Sequence, residues 1–327
     1  MTDAIQSLPV LIVNPYSRCN CRCVMCDIWK RDSAREVSWE EFARQLPDIE
    51  ALGVRWVVFS GGEPLMHPGL FRFCKALRDR GIRVTALSSG LLPGRFATDI
   101  VEQVDDLLVS LDGPKEVHNL IRRVANAFEL LAEGVRRIRA LRPDFPIAAR
   151  CTVQRLNCGV LTDTVNAARE LGLNSLSFLA ADVHSAAFDH RAELTALKPP
   201  ERVALTAGEL NILDGQIEAL AASGGCGGFV LESPAKIRRI SHHFRCYLGM
   251  EEPVAPACNA PWTSAVVDAD GTVRPCFFHA PIGSLKPGAG LREVLNGPEA
   301  TAFRAGLKIA ENPICRQCVC SLNWRSV

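Results

Sequence analysis

Residues 19–26 read Cys-Asn-Cys-Arg-Cys-Val-Met-Cys, and within them Cys19, Cys23 and Cys26 follow the spacing C-x3-C-x2-C. A four-iron, four-sulfur cluster takes one thiolate per iron. Three closely spaced cysteines therefore hold three irons and leave the fourth open to a substrate or cofactor. Structural zinc is the alternative. It asks for a closed set of four nitrogen or sulfur ligands, commonly from paired cysteines two to four residues apart. This stretch offers an odd triple instead, and His67 is the one histidine within about ninety residues of it. Cys21 breaks the ligand spacing and reads as a small hydrophobe in an apolar position.

The chain around this stretch alternates strand-like and helix-like segments. The apolar run Leu8–Asn14 leads directly into the cysteines and reads as a first strand. Trp39–Leu52 has helical spacing with Ser38 as its cap, Arg55–Phe59 is a second strand, and Pro68–Arg80 is a helix ended by Gly81. Strands follow at Ile82–Leu87, Asp106–Leu111, Ile147–Val153 and Ser175–Ala180, with helices at Ala127–Leu141 and Val160–Leu171. Six such units with short connections predict a parallel sheet curling toward a partial (β/α)6, TIM-like barrel. Chemistry in such barrels sits at the C-terminal ends of the strands, where the cysteine triple falls. Beyond Glu201 the pattern changes. Val203–Ser223 and Ser233–Leu248 read as helical, separated by the glycine-rich break Ser223–Gly228, and Ser264–Phe278 reads as a β-hairpin turning at Asp268-Ala269-Asp270-Gly271. The division expected is a core barrel over 1–190, a helical, substrate-facing segment over 191–250 and a small hairpin-and-helix domain over 251–327. The first boundary lies near residues 182–200, stiffened by Pro199-Pro200.

The 327 residues are 48% hydrophobic and 22% charged, with a formal net charge of +1. That balance supplies no basic field for nucleic acid and no acidic tail for a basic partner. The apolar run Leu8–Val13 is too short for a signal peptide and lacks a basic leader. No stretch of eighteen apolar residues occurs, so no membrane span is expected. Fourteen cysteines without an export signal point to thiolates kept reduced for metal in a cytoplasmic, oxygen-sensitive protein.

Three further strand ends carry polar groups. Gly61-Gly62-Glu63-Pro64 follows the second predicted strand, Ser88-Ser89-Gly90 the third and Ser110-Leu111-Asp112-Gly113 the fourth. Glycines let a backbone approach closely and a carboxylate can accept bonds from an ammonium group. Each of these residues could equally serve a turn or a helix cap. Together with the cysteine triple, however, they resemble the radical S-adenosylmethionine (SAM) superfamily. The resemblance covers about residues 9–320 and includes the stretch Ser110–Arg123. It implies that the open iron chelates SAM, that Gly61, Gly62, Glu63 and Pro64 line up its amino group, and that Ser89, Ser110, Asp112 and one of Arg122 and Arg123 meet its ribose and carboxylate. Met25 stands where many members carry an aromatic, and Trp29 reads as a packing residue.

A second group of cysteines follows: Cys258, Cys276 five residues after Gly271, then Cys315, Cys318 and Cys320. This order resembles the superfamily's SPASM domain in its shortened, twitch form. It implies one auxiliary 4Fe–4S cluster on Cys258, Cys276, Cys315 and Cys318, with Cys320 able to replace Cys318. A closed zinc site on four of these cysteines is the alternative. Four thiolates favour a closed, electron-carrying cluster, which tilts the expected reaction toward net oxidation. Among the remaining cysteines, Cys74 and Cys151 read as core. Cys226, in the glycine-rich break, and Cys246, beside Tyr247, are candidate hydrogen-atom donors, as in radical epimerases.

The expectation is thus an enzyme with two 4Fe–4S clusters and SAM, fed by an external one-electron reductant of flavodoxin or ferredoxin type and oxidising a small molecule. A peptide maturase or epimerase is the alternative. The first strand begins by residue 9, leaving no room ahead of it for a leader-binding domain, which favours a small substrate or a separate leader-binding partner. The molybdopterin-precursor cyclase shares the architecture, but its C-terminal Gly-Arg tail is missing here. A non-catalytic zinc or electron-transfer protein is the third reading. It has no need of the Gly-Gly-Glu-Pro turn or of six βα units.

Overall fold

The computed structural model describes residues 4–31, 33–185, 187–188, 199–285 and 288–325. Six parallel strands lie side by side in chain order: β1 (Val10–Val13), β2 (Trp56–Phe59), β3 (Arg83–Ser88), β4 (Asp106–Ser110), β5 (Ile147–Val153) and β6 (Ser175–Ala180). Helices α1 (Trp39–Ala51), α2 (Leu70–Arg78), α3 (Ala97–Gln103), α4 (Lys115–Arg122), α5 (Ala127–Leu141) and α6 (Leu161–Glu170) fill the crossovers. This is the partial βα barrel that the alternation predicts. Ser38 caps α1 in a reciprocal capping box with Glu41, as its sequence position suggests. The sequence reading missed α3 and α4, of seven and eight residues. Both are too short to show a full helical period.

The sheet continues past the barrel. Strand β7 (Ser264–Val267) pairs in parallel with β1, Val10 opposite Ser264 and Val13 opposite Val267. It then turns into β8 (Thr272–Arg274) and β9 (Gly283–Ser284), both antiparallel. The hairpin is shorter than Ser264–Phe278, so Cys276 falls just beyond β8 rather than inside a strand. Gly271, at φ +81°, takes the left-handed position of this turn, which a Cβ disfavours. The order β6-β5-β4-β3-β2-β1-β7-β8-β9 therefore places the C-terminal hairpin on the edge of the same sheet. The expected boundary over 182–200 falls largely outside the described residues. After it come α7 (Pro199–Val203), α8 (Ala207–Ala222) and α9 (Pro234–Tyr247), and then the short helices α10 (Ala260–Thr263), α11 (Leu291–Leu295), α12 (Pro298–Gly306) and α13 (Pro313–Arg316).

Strand alternation gives the sheet two faces. Val57, Phe59, Val84, Ala86, Leu107, Val109, Ile147, Ala149 and Cys151 are buried against the helices. Phe42 of α1 stacks on Phe73 of α2 with ring centroids 4.2 Å apart. Full burial of such side chains stabilises by about 1.5–3 kcal/mol each. Cys74 and Cys151 belong to this core, as expected. The opposite face, with Val58, Leu87, Leu108, Arg150 and Ser177, lines open space inside the partial barrel.

Candidate active site

The loop after β1 carries the cysteine triple and is fixed mostly by backbone. The Arg22 N–H donates to the Arg122 carbonyl at 3.3 Å and the Val24 N–H to the Ile121 carbonyl at 3.0 Å. The loop is thereby tied to the end of α4. From the other side, Gly62 donates to Tyr16 at 3.3 Å and Glu63 to Arg18 at 2.9 Å. A Cβ on Gly62 would lie 2.0 Å from the Arg18 carbonyl oxygen, and one on Gly61 2.9 Å from the Asn14 Cβ. The two glycines thus let the loop after β2 lie directly against the cysteine loop. Asp27, nearly inaccessible, is held by Lys30 at 2.9 Å and Arg202 at 3.0 Å.

Cys19, Cys23 and Cys26 line one cavity of about 560 Å³ at the C-terminal strand ends, together with Gly61, Gly62, Ser89, Ser110 and Arg122. Glu63 and Pro64 lie beneath it, buried. The Glu63 carboxylate accepts from the Ser89 N–H at 2.7 Å, the Ser89 hydroxyl at 2.6 Å, the Ser88 hydroxyl at 3.1 Å and the Leu65 N–H at 3.1 Å. Burial pushes its pKa up, against these hydrogen bonds. Glu63 therefore braces the end of β3 against the loop after β2. Asp112 is fully buried, 2.5 Å from the Arg122 guanidinium, and Arg122 in turn donates to the Cys23 sulfur at 3.5 Å. The Asp112 N–H donates to Nδ1 of the buried His118 at 3.2 Å. Burial, with Arg122 adding to it, pushes His118 down to about 3, so it is a neutral acceptor. Arg123, at φ +54°, is exposed and outside the cavity.

The cysteines polarise one another. Hydrogen bonds to Cys19 and Cys23, and then burial, push the Cys21 thiol far up, so it stays neutral. The bond from Cys21 brings Cys23 down to about 7 against its burial, and the Arg122 charge helps. Cys21 is buried as a small hydrophobe would be, and it also serves as a donor.

Cys258, Cys276, Cys315, Cys318 and Cys320 line a second cavity of about 300 Å³. Asparagine side chains join backbone bonds in holding this group. Asn259 binds the C-terminal segment: its N–H donates to the Leu322 carbonyl at 2.8 Å, its Nδ2 to the Trp324 carbonyl at 2.7 Å, and its Oδ1 accepts from the Trp324 N–H at 2.8 Å. Asn312 caps α13, accepting from the Ile314 and Cys315 N–H groups at 3.0 and 3.1 Å. Burial, then the neighbouring Cys276 and Cys258, push Cys315 up to about 11. His279, three residues past Cys276, places Nε2 3.3 Å from the Cys315 sulfur. The sequence reading missed it, although Cys-Phe-Phe-His is a visible pairing. Among the described residues no three His, Cys, Asp or Glu side chains are drawn together as ligands of a single ion.

Both cavities share walls at Ser60, Arg150, Phe278 and Cys320. A third cavity, of about 490 Å³, is lined by Cys246, His184, His242 and His243, with Cys318 and Cys320. Cys246 is 3.6 Å from the His242 ring nitrogens. Cys226 instead packs by the Leu220 carbonyl at 3.6 Å and lines none of the three.

A sequence profile of the Radical SAM superfamily matches residues 13–155, and that of an iron–sulfur cluster-binding domain, SPASM, matches residues 258–319. This chain carries a radical SAM superfamily domain followed by a SPASM domain. Its second matched region carries four of the five C-terminal cysteines, Cys258 to Cys318, with Cys320 just beyond. Among relatives, the AdoMet-dependent heme synthase of Methanosarcina barkeri is 33% identical over 47% of this radical SAM chain and 45% of the synthase. The PqqA peptide cyclase of Ruegeria pomeroyi is 28% identical over 92% of this chain and 77% of the cyclase. The chain thus spans under half the length of the first relative. Of solved structures, Streptococcus suis SuiB bound to precursor peptide SuiA superposes with a TM-score of 0.67 at 12% identity, over 97% of this chain and 72% of SuiB. AnSMEcpe with bound AdoMet superposes at 0.65 and 17% identity, over 90% and 82%. These likenesses show the fold. No helix among the described residues is long and apolar enough to cross a membrane.

Proposed function

We propose that this chain binds a 4Fe–4S cluster through Cys19, Cys23 and Cys26, binds SAM beside it, and oxidises a small organic substrate, with a second 4Fe–4S cluster on Cys258, Cys276, Cys315 and Cys318 taking up an electron. The observation that carries this is the convergence of the three cysteines, Gly61, Gly62, Ser110 and Arg122 on one cavity at the strand ends. The donor set fits: three thiolates leave one iron of the front cluster open, four close the second, and all the cysteines are free thiols. When bound, the cluster and SAM together supply a 5′-deoxyadenosyl radical that removes a hydrogen atom from carbon.

The protein's own groups supply position. Arg122, fixed by Asp112, sets a positive charge beside Cys23 and favours its thiolate. Ser89 and Ser110 offer hydroxyls to a polar ligand in the cavity. Glu63 keeps Ser89 oriented from below. The apolar wall of Leu87, Leu108 and Leu179 limits water around a reactive species. A one-electron protein reductant of flavodoxin or ferredoxin type completes the cycle. Cys246 is the better placed of the two candidate hydrogen-atom donors, because it shares a cavity wall with Cys318 and Cys320. A peptide substrate is the second reading, favoured by the similarity to the PqqA peptide cyclase over 92% of this chain.

The test is anaerobic purification with iron counting, followed by SAM and a strong reductant. About eight irons per chain and release of 5′-deoxyadenosine are expected. Zinc in place of iron, or intact SAM, overturns the reading. Cys258→Ala should lose about half the iron and keep the SAM-sensitive spectrum of the front cluster. Equal loss from both sites would mean that the ligands are wrongly divided.

A further inference from the structure

The face of β5 that points inside the barrel carries Ala148, Arg150 and Thr152, while Ala149, Cys151 and Val153 are buried behind it. Arg150 is thus a cation among largely apolar inward-facing residues. It lies in register with Ser110 on β4 and Ser177 on β6. It lines both cysteine-bearing cavities. Its Nε donates to the Ser177 hydroxyl at 3.2 Å. Among the described residues its two terminal nitrogens have no hydrogen bond and no carboxylate within ion-pair distance. Two other cations on the front cavity are neutralised: Arg122 by Asp112 at 2.5 Å and Arg274 by Asp268 at 2.9 Å. The nearby Glu232, whose carboxylate accepts from the Phe178 N–H at 2.9 Å, feels the Arg150 charge but makes no ion pair with it among the described residues. Lys236, also without an ion pair among the described residues, adds a second positive charge to the C-terminal cavity.

An unpaired guanidinium held at one nitrogen presents a fork that suits a planar oxyanion. Arg150 is exposed inside the open barrel, so an incoming oxyanion can reach the fork. We propose that Arg150 is the substrate's anion anchor: the molecule acted on carries a carboxylate or phosphate that binds Arg150 at the junction of the two cavities. Its reacting carbon then lies on the side of the front cysteines. Arg122, the arginine proposed to serve SAM, is already committed to Asp112, so the anchor is separate from it. The inference rests on the radical SAM reading above, and its failure is separable from failure of that reading.

The experiment uses the anaerobic holoenzyme and two probes, succinate and inorganic phosphate. Each is titrated by the fluorescence of Trp56, which lines the cavity that Arg150 borders, and SAM affinity is measured in parallel by calorimetry. Wild type should bind at least one probe, and the tighter one identifies the anion class. Arg150→Met should weaken that binding at least about tenfold, Arg150→Lys should recover part of it, and SAM affinity should stay within about twofold of wild type. If Arg150→Met loses iron, Arg150→Gln, which retains an N–H for Ser177, is read in its place. Three results overturn the proposal: no binding of either probe to wild type, equal binding to the variant, or a parallel loss of SAM affinity, which would make Arg150 a cofactor ligand. A wild type that holds no iron and binds no SAM refutes the earlier reading instead.

Discussion

The two cysteine groups are built by different means. The front loop is clamped between backbones: α4 holds it from one side at Arg22 and Val24, and the loop after β2 from the other at Tyr16 and Arg18. The C-terminal group is gathered by asparagine side chains and turns of three or four residues, and its five cysteines are all part-exposed. A backbone frame has almost no freedom to adapt, whereas a side-chain clamp can open and close. The front site should therefore fail abruptly on small changes, and the rear site gradually.

The largest effect should come from Cys23→Ala. It removes the thiol beside Arg122, and SAM cleavage should drop to background with loss of about half the iron. Retention of a SAM-sensitive cluster would show that Cys21 can take its place. Next is Gly62→Ala, which sets a methyl 2.0 Å from the Arg18 carbonyl. Both partners are backbone, so a cost of about 1–3 kcal/mol is expected, seen as a lowered melting temperature and weaker SAM binding. Gly208→Ala on α8 is the control. Nothing lies within 4 Å of the added carbon, and stability should be unchanged or slightly higher. Should Gly62→Ala melt like Gly208→Ala, the picture of a rigid front frame fails.

Asn259→Ala tests the softer site. It deletes a donor and an acceptor that join the Cys258 segment to the chain's last residues, at about 1–3 kcal/mol locally. Half of the iron should then pass to a chelator faster, while the front cluster keeps its response to SAM. Equal acceleration for both halves would mean that the two groups open together through the shared sheet.

The same contrast explains what could be read from sequence. Strands β5 and β6 were legible to the residue because their periodicity runs over six or seven positions. The cysteine triple and Gly61-Gly62 were legible because spacing and residue type are local properties. What was hidden is relational. That Gly62 accommodates Arg18, that Glu63 faces Ser88 and Ser89 beneath the cavity, and that β7 joins β1 are facts about pairs of residues between 25 and 254 positions apart. His279 could have been noticed beside Cys276, but only folding brings it to Cys315. Arg150 looked like any strand cation until its neighbours failed to supply a carboxylate.

The smallest effect distinguishes support from catalysis in the front frame. His118 accepts from the Asp112 N–H and is held neutral, down to about 3, by burial and then by Arg122. Arg122 and Glu129 are the charges that act on it, and the Phe128 ring packs edge-on. The unfolded chain takes up a proton at an ordinary histidine pKa of about 6.5, which the folded site refuses. The unfolded state then binds more protons between those two values, so stability falls as pH drops below about 6.5. Between pH 7.5 and 5.5 this amounts to about 1.4 kcal/mol. His118→Asn keeps an acceptor for Asp112 but cannot titrate. It should flatten the stability profile over that window and leave the iron content at pH 7.5 unchanged. A variant whose unfolding retains the full pH slope would place the titration elsewhere and leave the neutral-acceptor role of His118 without support.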